Sequence, residues 1–153
     1  MPPKLQRRNA GLTLIEVVVA VTIAALVTAA AVPAVGSALD RARANTGTRE
    51  LVVALKTTRH EARTSGADAL FTLDINARVY RIAGGRDRAL GTPDGATLTL
   101  LTAESERLTE TAGAIRFFAD GSSTGGTIVL THRGREQRVE VDWLTGHVRA
   151  VSP

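Results

Sequence analysis

Gly11-Leu12-Thr13-Leu14-Ile15-Glu16 opens the stretch that decides the fold, and it leads directly into VVVAVTIAALVTAAAVPAV, residues 17–35. Residues 17–35 carry no charge, and extending the run back to Leu12 makes 24 residues. At 1.5 Å per residue a helix of that length measures about 36 Å. A bilayer's hydrocarbon core is about 30 Å thick, so the run is long enough to span it. Lys4, Arg7 and Arg8 precede it with no acid among residues 1–11. Positive flanks stay in the cytoplasm, which sends the C-terminal part of the chain outwards.

A secretory signal peptide also begins with bases and an apolar stretch, but its stretch is shorter and small residues follow it. Here the run is long, and the small residue, Gly11, comes before it. Glu16 separates the segment from a plain anchor as well. A carboxylate inside an apolar span costs about 2.5–3.5 kcal/mol at a helix centre and less near the interface, so such a residue is functional by default and needs a partner.

Gly11-Leu12-Thr13-Leu14-Ile15-Glu16 resembles the prepilin peptidase site of type IV pilins and type II secretion pseudopilins. In that family a glycine precedes the cut, and the fifth residue of the processed chain is glutamate. Cutting after Gly11 makes Glu16 fifth and Pro33 twenty-second, where many members carry a proline. Leu12 departs from the phenylalanine that usually begins the processed chain. The resemblance implies a prepilin peptidase as partner, with N-methylation of the new amine on Leu12. It also implies an assembly role for Glu16, whose carboxylate would meet the N-terminal amine of a neighbouring subunit in a staggered stack of helices. Pro33 removes a backbone donor and adjusts the helix direction near the outer membrane face, by a kink or by ending the span.

The chain has 153 residues, room for an anchor and one domain. Its net charge of +4 rests mainly on the three bases of residues 1–11, because the remainder sets 16 bases against 15 acids. A basic balance located in a leader is weak support for a nucleic-acid partner. The absence of cysteine removes disulfides, thiolate zinc sites and a thiol nucleophile.

Beyond residue 36 the pattern turns amphipathic. Leu51, Leu55, Thr58 and Ala62 form a helical stripe, with Arg41, Arg43, Arg49, Lys56, Arg59 and Arg63 on what is expected to be a solvated face. Gly47 is a place where the helix can bend, and Ser65-Gly66 stops it. Short alternating runs follow at 70–75, 78–82, 97–101, 115–118, 127–130, 139–143 and 148–151, about seven strands. Asn76-Ala77 suggests a hairpin, residues 104–113 an exposed acidic loop, and Asp120-Gly121 with Gly125-Gly126 a reversal between core strands. The expected fold is therefore α+β, a long N-terminal helix followed by a small antiparallel, β-sandwich-like domain. Its parts are a cytoplasmic leader (1–11), a membrane and assembly helix (12–35), a continuation outside the membrane (36–66) and a periplasmic β domain (67–153).

Residues 117–128 and Trp143-Leu144-Thr145-Gly146-His147-Val148 resemble the H-type minor pseudopilins of type II secretion, whose domain is shared by the FimT minor pilin. Two functions follow from these resemblances. One is a subunit near the tip of a periplasmic pseudopilus, anchored in the inner membrane by one span, which supports export of folded proteins alongside other pseudopilins and binds no nucleic acid. The other is a pilin for pilus assembly or DNA uptake. FimT-like DNA binders carry G-R-x-R near the C-terminus. This chain has Gly146-His147-Val148-Arg149, leaving Arg149 as the DNA contact in that reading.

Catalysis is not expected. His60, His132 and His147 lack ligand spacing, and Ser122 and Ser123 lack a nucleophile-elbow pattern. No metal or cofactor is expected, and no acidic cluster resembles the calcium loop of the major pseudopilin.

Overall fold

The computed structural model describes residues 13–151, with the backbone alone for residues 30–35 and 37–41. The chain divides between Ala38 and Leu39 into two units.

Helix α1, Leu14–Ser65, supplies all the regular structure described in the first unit and the opening element of the second. Its backbone is helical through Pro33, Gly36 and Gly47, so no new helix begins after Pro33. Gly47 marks a close approach, since a Cβ there would lie 2.5 Å from the carbonyl oxygen of Gly91. The helix ends as Ser65-Gly66 predicts: Gly66 takes φ 68° and donates its N–H to Ala62 O at 3.1 Å, a left-handed cap that β-carbon residues adopt at a cost.

In the second unit α1 is followed by eight strands: β1 Ala69–Asp74, β2 Val79–Ile82, β3 Arg88–Ala89, β4 Thr97–Thr102, β5 Ala112–Phe117, β6 Gly126–His132, β7 Arg135–Val141 and β8 Val148–Val151. They form two antiparallel sheets, ordered β3-β2-β1-β5 and β4-β6-β7-β8. Alternation places Ala69, Phe71 and Leu73 of β1 inside, and Ile128 and Leu130 of β6 likewise. These join Leu51, Ala54, Leu55 and Ala62 of the helix and Ile115, Phe117, Val139 and Val148 of the sheets in one core. Each fully buried Leu, Ile or Phe in it contributes about 1.5–3 kcal/mol. Thr102 of β4 donates to the carbonyl of Ala114 in β5, which ties the two sheets at adjoining edges.

Four expectations need correction. Among the described residues the strands number eight, because β3 is a two-residue pairing too short to leave a periodic signal. The 139–143 strand lies earlier, at Arg135–Val141, and Trp143 stands in the following turn with two thirds of its surface exposed. Residues 118–125 do not reverse a hairpin. They carry the chain from β5 in one sheet to β6 in the other. Residues 104–113 are not uniformly exposed: a 3-10 turn at Glu104–Glu106 buries Glu106, which accepts from Arg116 Nε at 2.8 Å.

Candidate functional site

At the start of α1, Glu16 lies in the first turn and its backbone N–H donates to Thr13 Oγ1 at 3.3 Å. Thr13-Leu14-Ile15-Glu16 therefore has the spacing of a helix-capping box, and an acid in the first turn suits the positive end of the helix dipole. That signal was available in the sequence, and it explains the local geometry of Glu16 without explaining its carboxylate. Among the described residues that carboxylate has no hydrogen bond or ion pair, and the side chain is exposed. Gly11 and Leu12 lie outside the described residues. Pro33 is placed by its backbone alone.

Every described side chain from Thr13 through residue 29 is exposed, including Leu14 at 83% and Ile15 at 73%. A helix apolar all round has to be covered by lipid or by other helices. Among the described residues no helix is long and apolar enough to cross a membrane. Residues 14–29 would measure about 24 Å. The uncharged sequence continues through residues 30–35, whose side chains are not described.

At the other end of α1, Arg59 joins two turns. Its Nε donates to Gly121 O at 3.0 Å and its Nη2 to Thr145 O at 2.8 Å. The turns also touch: Gly146, at φ 61°, is packed so tightly that a Cβ would collide with Gly121 O and come 2.9 Å from Arg59 Nε. Asp120 Oδ1 accepts from Ser122 N–H at 2.8 Å and Ser122 Oγ at 2.6 Å. Asp142 Oδ1 accepts from Thr145 N–H and Oγ1 at 2.8 and 2.7 Å. In each case the side-chain hydroxyl, then the amide, holds the carboxyl below its ordinary range. Ser122 and Ser123 are thereby structural, Ser123 donating to Arg116 O at 2.8 Å. The sequence reading put Arg59 on a solvated face. A signal against that existed, because Arg59 falls four residues after Leu55 and three before Ala62, beside the buried stripe.

Arg149 does not stand free. Its Nε and Nη2 both donate to Glu140 Oε2, at 2.9 and 2.7 Å, from the neighbouring strand. Glu140 also lies 4.0 Å from Arg138. Among the described residues no group of three or more His, Asp or Glu could hold a metal ion.

Comparison with known proteins separates relatives that share only the fold from those that share the sequence. The domain resembles the minor pseudopilin EpsH of the type II secretion system of Vibrio cholerae (TM-score 0.55, 18% identity, 72% of this chain and 98% of that one). It resembles the type IV minor pilin FimU of Pseudomonas aeruginosa equally well (TM-score 0.57, 13% identity, 74% and 91%). The fold alone therefore does not divide pseudopilin from pilin. Sequence does: residues 47–145 match the family model for type II transport protein GspH, and residues 6–32 match the prokaryotic N-terminal methylation motif. A type II secretion system protein H from Xanthomonas campestris pv. campestris is 32% identical over 148 residues, 97% of this chain and 86% of that protein. This chain belongs to the GspH family. Membership makes it a minor pseudopilin, a structural subunit in the type IV pilin-like superfamily. In this GspH-family chain the turns joined by Arg59 are the two segments, 117–128 and 143–148, that carried the subtype resemblance. Gly146 is accounted for by the packing of one turn on the other, and Asp120 by its bonds to Ser122 within its own turn.

Proposed function

We propose that the chain is made as a precursor and cut between Gly11 and Leu12 by a prepilin peptidase, with methylation of the Leu12 amine. Residues 12–35 then hold it in the inner membrane, N-terminus cytoplasmic and C-terminal domain periplasmic. From there it enters a pseudopilus beside other pseudopilins, near the tip, and supports passage of folded proteins across the outer membrane. Its contribution is structural, without a catalytic step or cofactor.

One observation carries this reading. The exposed, uncharged segment 17–29 of α1 follows a carboxylate, Glu16, that has no partner within the described chain. Such a surface suits two environments in turn, lipid before assembly and neighbouring helices after it, and in a bundle Glu16 can meet a neighbour's amine. Pro33 and the residues after it set the direction in which the chain leaves this packed segment.

The N-terminus of the mature protein is the test. Mass spectrometry is expected to find chains beginning at a methylated Leu12, and replacing Gly11 with a bulky residue should leave the full-length precursor in the membrane. A mature chain beginning elsewhere removes the reading. The DNA contact of the alternative reading, Arg149, is engaged by Glu140.

A further inference from the structure

A cleft of about 540 Å³ opens between the last turns of α1 and the β7–β8 turn, lined by Lys56, Arg59, His60, Arg63, Gly146 and His147 among others. Lys56, His60 and Arg63 follow one another at helical spacing on one face, and all three are exposed. Arg59 lies between them, its orientation fixed by the carbonyls of Gly121 and Thr145, and its Nη1 makes no hydrogen bond among the described residues. Neither Lys56 nor Arg63 forms an ion pair among the described residues.

Of the nearby acids, Glu61 stands exposed on the helix itself, and those on the strands and turns are engaged locally. Asp120 is held by Ser122, Asp142 by Thr145, and Glu140 by Arg149. The helix dipole does not account for the cluster, because its favourable effect on cations is confined to the last turn, where Arg63 alone belongs. The geometry points to a docking site for a short acidic segment of a partner protein, whose carboxylates pair with Lys56 and Arg63 and with the fixed guanidinium of Arg59. A long polyanion fits less well: Asp120 and Asp142 lie in the turns that border the cleft, and a continuous phosphate backbone would have to pass them. Identifying the partner as another pseudopilin rests on the function proposed above. The chemistry of the site does not.

The chain's lysines are Lys4 and Lys56, which makes amine chemistry selective. In membranes holding the full chain with its natural neighbours, carbodiimide couples an amine to a carboxylate in contact with it. Peptide mapping is expected to find Lys56 Nζ joined to an Asp or Glu of another pseudopilin. Lys56→Arg should abolish the adduct while keeping assembly, and Arg63→Glu should lower its yield roughly tenfold. An adduct confined to this chain's own Glu61 or Asp120, or none at all while the chain still co-isolates with other pseudopilins, overturns the proposal.

Failure to co-isolate would instead count against the functional reading, and a second measurement then decides on the site. The full chain in detergent is titrated with a labelled ten-residue Glu-Gly repeat, its Gln-Gly counterpart and a short DNA duplex. Binding of the Glu peptide alone, weakened roughly tenfold or more by the Lys56→Glu, Arg63→Glu double variant, supports the site. Equal binding of the Gln peptide, tighter binding of the duplex, or no binding of the Glu peptide overturns it.

Discussion

Arg59 Nε donates to the carbonyl oxygen of Gly121 at 3.0 Å, which fixes a turn 62 residues away against the last third of α1. The same guanidinium holds Thr145 O, so one side chain replaces water for two carbonyls. Hydrogen bonds to charged groups contribute about 1.5–3 kcal/mol. Arg59→Ala is expected to cost about 2 kcal/mol, read as a lowered thermal midpoint of the full chain. Gly146→Ala should cost about as much without removing a bond, because its φ of 61° and the contact with Gly121 O leave no room for a Cβ. Unchanged midpoints in both variants would show that the turns are not held this way.

The carboxyl of Asp142 gives the same region a pH dependence. Thr145 holds it below its ordinary value, so the folded state binds this proton less readily than the unfolded chain does. The stabilisation is complete above the unfolded value of about 3.9 and is lost as pH falls through the lower folded value. The midpoint difference between the parent and Asp142→Asn should therefore be constant from pH 7 to about 5 and shrink below about 4. A difference that grows on acidification would contradict the assignment.

Glu106 offers a sharper case, because its side chain is 6% exposed and Arg116 32%. Arg116 also lies 3.9 Å from Asp68, and the bond to Glu106 pushes its guanidinium up. Glu106→Ala should cost about 2 kcal/mol and release residues 103–111, which would appear as faster amide exchange there than in β6. Uniform exchange across both segments would mean that the ion pair does not anchor this loop.

These contacts also mark where the sequence stopped being legible. The core of β1 and β6 could be read because alternation is a local property, and so could the stripe Leu51, Leu55, Thr58, Ala62. The end of α1 at Gly66 was equally local. The contacts of Arg59, Glu106 and Gly47 were not legible because each is made to a partner away along the chain: Gly121, Arg116 and Gly91 respectively. Charge and glycine indicate that something special is needed, without naming what it faces. At the N-terminus the situation is reversed. Gly11 and Leu12 lie outside the described residues, and the spacing from Gly11 to Glu16 remains the basis for the proposed processing site.

Glu16→Ala separates processing from assembly. The backbone bond from residue 16 to Thr13 survives the substitution, and loss of a first-turn acid weakens the helix by about 0.3–1 kcal/mol at most. The variant should be cut at the same bond and retained in the membrane, since it lacks an acid that is costly in lipid. It should fail to co-isolate with other pseudopilins and fail to restore secretion to a deletion strain. Secretion at the parental level would show that the carboxylate has no partner in the assembled state.

The last prediction concerns DNA. Non-specific binding depends on several cations releasing counterions from phosphates, and competent binders reach about 10⁻⁴–10⁻⁶ M at physiological salt. Outside residues 1–11 the chain has 16 bases against 15 acids, and in β7 and β8 they interleave. Arg149 is held by Glu140 through two nitrogens, so to meet a phosphate it must first leave a carboxylate. The full chain in detergent should bind a short duplex more weakly than about 10⁻⁴ M at physiological salt, and Arg149→Ala should change nothing. Glu140→Gln provides the internal control. By freeing Arg149 it should strengthen binding at low salt, which shows that the assay would detect this arginine if it were available. Micromolar binding by the parent that falls steeply with salt and disappears in Arg149→Ala would reverse the assignment and make this arginine a DNA contact.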